Sequence, residues 1–163
     1  MTKPKKARPA PSASDEDTLK LSNQICFPLY AASRMIVNAY RPLLSVLGVT
    51  YPQYLVMLVL WEEDGLNVST IGDRLHLDSG TLTPVLKRME LQGFIVRRRM
   101  ERDDRIVNNW LTPEGRALKK RAAKVPGQLL CDAKLSMEEL PPMRAACDRL
   151  IEALLPLQPE AMR

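Results

Sequence analysis

Two short helical segments followed by a charged hairpin constrain the fold of this chain more than any other feature. The first segment, STIGDRLHL, has Asn67 and Ser69 as candidate caps, and the second, SGTLTPVLKRMELQG, is preceded by the capping residue Asp78. The strand-like runs FIVRRR (94–99) and IVNNWL (106–111) then flank the charged turn MERDDR. This order predicts a winged helix-turn-helix, whose second helix enters the DNA major groove while the hairpin reaches the neighbouring backbone or minor groove.

The second of these helices has an apolar side and a polar side. Leu82, Leu86 and Met89 repeat at helical spacing and are predicted to face a core. On the polar side, hydroxyl groups near the helix start can reach base edges or phosphates, and cations further along favour phosphates. An ordinary amphipathic helix with a solvated polar face is the alternative for this segment alone. The predicted DNA-contacting residues of the helix are Ser79, Thr81, Thr83, Lys87 and Arg88.

The hairpin concentrates positive charge. Residues 87–105 carry seven basic and four acidic side chains, and Arg99 on the first strand is a predicted DNA contact. Asp103 and Arg105 stand two apart, so extended backbone places them on one side. An aspartate there can fix the fork of an arginine that enters a narrow minor groove. For any single arginine of the hairpin, a solvated strand is the competing explanation.

Composition limits the remaining classes of protein. The chain has 163 residues, a net charge of +5 and 45% hydrophobic residues, enough for one packed domain. The predicted order of helices around a single hairpin favours a mainly α (α+β) class. Its longest apolar run, YLVMLVLW, falls short of the about 18 residues that a membrane span needs. A cytoplasmic protein with reduced thiols is expected. One histidine and three scattered cysteines give no metal-ligand spacing, so no metal or other cofactor is expected.

Long motifs along the chain resemble a known family. The run LDSGTLTPVLKRMELQGFIVRRRMERDDRIVNNWLTPEG, with its D-x-R at Asp103 and Arg105, resembles the winged-helix core of MarR-family repressors. Together with NQICFPLYAASR and VTYPQYLVMLVLWE, it is similar to the organic-hydroperoxide-sensing branch of that family, OhrR. The resemblance covers roughly residues 19–155.

The resemblance implies a domain organisation and a partner. It implies a homodimer whose terminal helices interlock and hold two winged helices over a palindromic operator. Within one compact domain, we therefore expect a disordered basic tail, two helical dimerisation segments and a DNA-binding region between them. Their expected limits are 1–17 for the tail, 18–48 and 112–163 for dimerisation, and 49–111 for DNA binding.

The resemblance also implies the redox site. Cys26 corresponds to the peroxide sensor, and Tyr40 and Tyr51 correspond to the tyrosines that hydrogen-bond its sulfur in the reduced protein. In the two-cysteine type, a C-terminal cysteine of the partner subunit forms a disulfide with the sensor, and Cys131 sits about where that residue belongs. The expected consequence is a change in the spacing of the two recognition helices and release of DNA. For Cys147 we expect a buried small residue.

The chemistry of Cys26 can also be considered from the residues alone. A thiolate attacks a hydroperoxide, and no lysine or arginine lies within four residues of Cys26. A helix N-terminus and phenolic donors are the remaining means of stabilising that anion. On one continuous helix, Tyr30 and Tyr40 lie at about +40° and −40° from Cys26, but Tyr40 is about 21 Å along the axis. An antiparallel partner subunit could bring its own tyrosine to this thiol, so we predict a redox site across the dimer interface.

An apolar surrounding would favour an organic peroxide over hydrogen peroxide, since burying each CH₂ contributes about 0.8 kcal/mol. The predicted pocket consists of Phe27, Leu29, Tyr30 and Met57, although Tyr30 also suits simple core packing. Two other functions stay open. The chain could be a thiol peroxidase that uses Cys26 and Cys131 in turnover, for which a basic wing has no use. It could instead be a MarR-type repressor released by a small phenolic ligand.

Overall fold

A computed structural model describes residues 15–100 and 103–158, with the backbone alone at residues 15, 16, 100 and 103–106. The chain divides into two compact units, Met1–Asn38 and Ala39–Arg163. Single 3₁₀ turns occur at Leu21–Asn23 and Leu155–Leu157. The other elements, in chain order, are α1 (Asp15–Thr18), α2 (Cys26–Ser45), α3 (Tyr51–Glu62), β1 (Leu66–Asn67), α4 (Val68–Leu75), α5 (Ser79–Leu91), β2 (Ile95–Met100), β3 (Asp103–Leu111), α6 (Pro113–Ala122), α7 (Val125–Ala133) and α8 (Leu140–Leu154).

The winged helix-turn-helix that the sequence predicts is present in the second unit. Helix α4 begins after Asn67, whose side chain accepts a hydrogen bond from the Thr70 amide, so Asn67 rather than Ser69 is the cap. Helix α5 begins after Asp78, which accepts from the Thr81 amide. The two helices and the hairpin that follows them confirm the mainly α fold class with a small antiparallel sheet.

The turn between α4 and α5 is tight. The amide of Leu77 donates to the carbonyl of Gly72, and His76 adopts a left-handed conformation with φ of 52°. The carbonyl of Leu77 occupies the place that a Cβ at residue 72 would need. Glycine is therefore required at this position for the two helices to approach as they do.

The wing has one strand more than the sequence predicts. Strand order is β1-β3-β2, all antiparallel, and β1 pairs Leu66 with Asn109. A strand of two residues is too short to show the alternation of apolar and polar residues that marks a strand, so the sequence does not predict β1. Pairing between β2 and β3 extends to Met100 and Asp103, so the turn between them is shorter than the predicted six residues, MERDDR. Residues 101 and 102 lie outside the described part of the chain.

Prolines set several helix boundaries. Pro28 suits a first turn and predicts a helix start close to Cys26, which is where α2 begins. Pro42 predicts a kink or break near the end, but α2 continues past it to Ser45. The run TPEGRALKKRAAKV, with Thr112 as the cap and Pro113 in the first turn, predicts one helix. The structure has two, α6 and α7, because Pro126 fits the first turn of α7 but not the interior of a longer helix. Ser136 and Glu139 match a capping box, which predicts that the last helix begins near Ser136. It begins instead at Leu140, because Pro141 and Pro142 fit only a first turn.

The two units differ in their packing. In the second unit, one apolar core joins the winged helix-turn-helix to α3 and α6, and it contains Leu82, Leu86 and Met89, as predicted. In the first unit, none of residues 17–38 is buried. Positions 1–14 of the predicted tail lie outside the described residues, and Asp15–Thr18 form α1. Across the described residues, no helix is long and apolar enough to cross a membrane.

Candidate redox sensor and DNA-reading helix

Helix α5 presents the polar side that the sequence predicts. Ser79, Thr81, Lys87 and Arg88 are exposed, and Thr83 is half-buried. The opposite side is anchored by Leu86 and Met89, which have no exposed surface. The structure therefore leaves one edge of α5 free, with hydroxyl groups near its start and two cations near its end.

The first turn of α5 is held by its cap. The carboxylate of Asp78 accepts hydrogen bonds from the amide and the hydroxyl of Thr81, at 2.9 and 2.7 Å. These bonds from Thr81 lower the pKa of Asp78 below its ordinary value. The hydroxyl of Thr83 donates to the carbonyl of Ser79 at 2.6 Å. Both threonine hydroxyls are thus oriented within the helix and keep their lone pairs available as acceptors.

The arginines of the wing fall into two groups. Arg97 turns inward, where its amide donates to Glu90 at 3.0 Å and its guanidinium lies 3.8 Å from the same carboxylate. Arg98 and Arg99 are exposed. Asp103 and Arg105 have their backbone in β3, but their side chains lie outside what the structure describes. Among the predicted DNA contacts of the wing, Arg99 is therefore the residue whose side chain the structure describes, and that side chain is exposed.

Cys26 is the first residue of α2, and its thiol is free and exposed. The first turn of a helix is where the unpaired N–H groups and the positive end of the helix dipole lie. Phe27 and Leu29 are exposed beside it in the same unit. Tyr30 is also exposed, and its hydroxyl accepts a hydrogen bond from Arg34 at 3.1 Å. Tyr30 is thus already bonded to a neighbour one turn along the helix.

Three tyrosines cluster in the second unit. The ring centroids of Tyr40 and Tyr51 are 5.1 Å apart, and those of Tyr40 and Tyr54 are 5.8 Å apart. Tyr54 is buried and also contacts Trp61 edge to face, with centroids 6.4 Å apart. The structure therefore brings together the two predicted partners of the sensor and adds a third phenol to them.

Burial controls the ionisation of this cluster. Burial raises the pKa of Tyr40, and the nearby phenols of Tyr54 and Tyr51 raise it further. Burial is also the main cause that raises the pKa of Tyr51 and of Tyr54. The three groups accordingly stay protonated well above neutral pH, where each phenol retains an O–H that can donate to an anion.

The other predicted site residues are dispersed. Met57 has no exposed surface and belongs to the core of the second unit. Cys131 on α7 and Cys147 on α8 are free and exposed. The expectation that Cys147 is buried is therefore wrong for the single chain. Cys26 belongs to the first unit and the three phenols to the second. The bonds from Tyr40 and Tyr51 to its sulfur and the disulfide with Cys131 stay predictions.

Two residues near the phenols were missed from the sequence. Tyr54 follows Tyr51 by three positions, a spacing that places both on one side of a helix and could have identified it. Gln53, between them, is one of two polar residues found buried among the described residues. A single glutamine in an otherwise apolar run gives no comparable signal, because its burial depends on a partner far away in the chain.

Comparisons with known proteins agree over most of the chain. A profile of the MarR family matches residues 49–107. The organic hydroperoxide resistance transcriptional regulator of Bacillus subtilis (strain 168) is 51% identical over 138 residues, which are 85% of this chain and 94% of that protein. Reduced AbfR bound to DNA has a TM-score of 0.70 at 34% identity over 84% of this chain and 94% of its own. Disulfide-formed AbfR has a TM-score of 0.59 at 34% identity, covering 87% and 94%.

Proposed function

Because the chain belongs to the MarR family of transcriptional regulators, we propose that it is a redox-sensing repressor whose reduced homodimer binds a palindromic operator. An organic hydroperoxide oxidises Cys26, and the oxidised dimer releases the DNA. The observation that carries this proposal is the position of Cys26, which is the first residue of α2 in a chain that also presents a DNA-reading helix.

DNA binding uses the free edge of α5 and the wing. Ser79 and Thr81 approach base edges in the major groove, and Lys87 and Arg88 contact phosphates. Arg99, with Arg105 fixed by Asp103, contacts the backbone or the minor groove from the wing. The net charge of +5 adds attraction to DNA that depends on salt but not on sequence.

Dimerisation covers apolar surface that the single chain leaves open. In the first unit, Ile25 and Met35 are 71% and 70% exposed, and Tyr30 and Phe27 are also exposed. In the second unit, α8 exposes Met143, Ile151 and Leu154. Large apolar side chains exposed in this number are typical of surfaces that a partner covers. A second copy that covers both helices would bring the phenols of one subunit to Cys26 of the other.

The redox step begins with the thiolate of Cys26, which the N-terminus of α2 and the phenols of Tyr40 and Tyr51 stabilise. The thiolate attacks the outer oxygen of the hydroperoxide, the O–O bond breaks, and the departing alkoxide takes a proton to become an alcohol. The sulfur loses two electrons and becomes a sulfenic acid. The apolar side chains of Phe27, Leu29 and Tyr30, exposed beside Cys26, favour an organic peroxide, whereas the predicted fourth member, Met57, lies in the core of the second unit.

A disulfide then fixes the oxidised state. The thiol of Cys131 of the partner subunit attacks the sulfenic sulfur, an S–S bond forms and water leaves. A disulfide requires Cα atoms within about 7 Å, so the helices that carry the two cysteines must approach. The relative AbfR is known both as a reduced form bound to DNA and as a disulfide form, which supports such a step. Operator half-sites about 34–36 Å apart tolerate little change in helix spacing, so affinity falls.

Non-reducing electrophoresis tests the assignment of the second cysteine. After treatment with cumene hydroperoxide, the wild type is expected to run as a crosslinked dimer that dithiothreitol reverses. Cys131→Ser should abolish the crosslink, and Cys147→Ser, the matched control on the neighbouring helix α8, should retain it. A crosslink that persists in Cys131→Ser and disappears in Cys147→Ser would assign the resolving role to Cys147 instead.

A further inference from the structure

Gln53 is a buried polar residue in a helix that is otherwise apolar on its inner side. Its side chain is 2% exposed, and both ends of its amide are bonded. The Oε1 atom accepts from the backbone amide of Thr50 at 2.9 Å, which caps the start of α3. The Nε2 atom donates to the side-chain oxygen of Gln92 at 2.6 Å, a residue 39 positions further along the chain.

Gln92 is the residue that ends the DNA-reading helix. It is the C-cap of α5, and its backbone amide donates to the carbonyl of Arg88. Its side-chain nitrogen donates to the carbonyl of Gly48 at 3.4 Å. Gly48 has φ of 74° and lies in the turn between α2 and α3. One exposed glutamine therefore joins the end of α5 both to this turn and to the first turn of α3.

The same turn carries the phenols. Tyr51 is the first residue of α3 and Gln53 the third, so their backbones move together. Tyr40 reaches Tyr51 from the α2 side of the turn. We propose that the Gln53–Gln92 hydrogen bond is the positioning link through which the Tyr51 end of α3 sets the position of α5 on DNA. This inference rests on the proposed function, in which oxidation of Cys26 releases its bonds to Tyr40 and Tyr51.

This hydrogen bond suits the task because it is directional. If the first turn of α3 shifts on oxidation, the end of α5 must follow, or the Nε2 atom of Gln53, a residue that is 2% exposed, loses its partner. Leaving a buried donor without a partner shifts an equilibrium by about 5-fold to 150-fold. Apolar contacts are non-directional, so they specify the relative position of the two helices less strictly than this bond does.

The test compares operator affinity in two redox states. A duplex from upstream of the chain's own gene is titrated with fully reduced and fully disulfide-oxidised protein, with each state verified by thiol alkylation and mass spectrometry. Low salt keeps the weaker affinity measurable. Gln92→Met removes both side-chain hydrogen bonds at an exposed position, and Gln92→Glu keeps an acceptor for Gln53. Leu91→Met is the matched control, because Leu91 precedes Gln92 in the chain and is itself 88% exposed.

The quantity that decides is the ratio of reduced to oxidised affinity. Gln92→Met is expected to lower this ratio by about fivefold or more, while Cys26 is oxidised at the wild-type rate. Gln92→Glu and Leu91→Met should keep the wild-type ratio. A ratio unchanged in Gln92→Met, or equally lost in Gln92→Glu, overturns the inference. If the wild type itself shows equal affinity in both states, the proposed function fails first.

Discussion

Tyr40 near the end of α2 and Tyr51 at the start of α3 lie with their ring centroids 5.1 Å apart, tilted by 47°. They are 11 positions apart in sequence, and the turn at Gly48 reverses the chain between them. Each phenol is kept protonated by its raised pKa, so the pair forms two O–H donors on one side of the helix junction. The proposed redox chemistry depends on these two donors.

The first prediction concerns those hydroxyls. Tyr40→Phe and Tyr51→Phe should each slow the oxidation of Cys26 by an organic hydroperoxide by about tenfold or more, because a hydrogen bond to a charged group contributes about 1.5–3 kcal/mol. Thiol loss under excess cumene hydroperoxide measures the rate. Tyr30→Phe is the control, since its hydroxyl is bonded to Arg34, and it should react as the wild type does. Equal rates in all four proteins would refute the role of the pair.

The second prediction concerns stability at high pH. Burial raises the pKa of Tyr54 above the ordinary value of a tyrosine, so the folded state keeps the phenolic proton to higher pH than the unfolded state does. The free energy of unfolding should therefore be unaffected below about pH 10 and fall as pH rises from there through the folded pKa. Urea unfolding from about pH 8 to about pH 11 measures this fall. It should be smaller in Tyr54→Phe, and parallel profiles for the two proteins would contradict the prediction.

The third prediction concerns the cap of α4. Asn67→Ala removes the acceptor of the Thr70 amide and should lower the free energy of unfolding by about 1 kcal/mol. For a chain of this length, that loss corresponds to about 2–4 °C in Tm. Ser69→Ala, which changes the other candidate cap, should leave Tm close to that of the wild type. Calorimetry of the two variants decides, and a larger loss in Ser69→Ala would contradict the assigned cap.

The fourth prediction separates two arginines of the wing. Arg99 is exposed, so Arg99→Ala should weaken operator binding and reduce the slope of log affinity against log salt by about 0.9 for the lost phosphate contact. The guanidinium of Arg97 pairs with the Glu90 carboxylate at 3.8 Å, so Arg97→Ala, which loses this pair, should lower Tm and leave that slope unchanged. Binding titrations at several salt concentrations measure both. The opposite pattern would assign the DNA contact to Arg97.

The elements that the sequence predicts well are those with local signals. The caps Asp78 and Thr112 and the apolar repeat of Leu82, Leu86 and Met89 follow from patterns of a few residues, and all are present. Ser136 and Glu139 form their predicted hydrogen bond, but the helix starts later because Pro141 and Pro142 decide where the first turn lies. At this position the capping residues favour an earlier helix start, but the proline rings fit only the first turn, so the prolines determine the start.

The parts that could not be predicted depend on contacts between distant segments. Gln53 is buried because Gln92 meets it from another helix, and β1 exists because Asn109 and Asn108 pair with it. Arg97 differs from Arg98 and Arg99 only through Glu90, which lies on α5. In the run FIVRRR the three arginines carry the same charge and composition, so no pattern in the run separates them.

The central claim is that oxidation of one sulfur atom controls DNA binding. The most direct measurement is a gel shift on DNA from upstream of the chain's own gene, with reduced and cumene-hydroperoxide-treated protein, comparing wild type with Cys26→Ser. The wild type should bind when reduced and release after treatment, whereas Cys26→Ser should bind in both conditions. Release of DNA by treated Cys26→Ser would contradict the account.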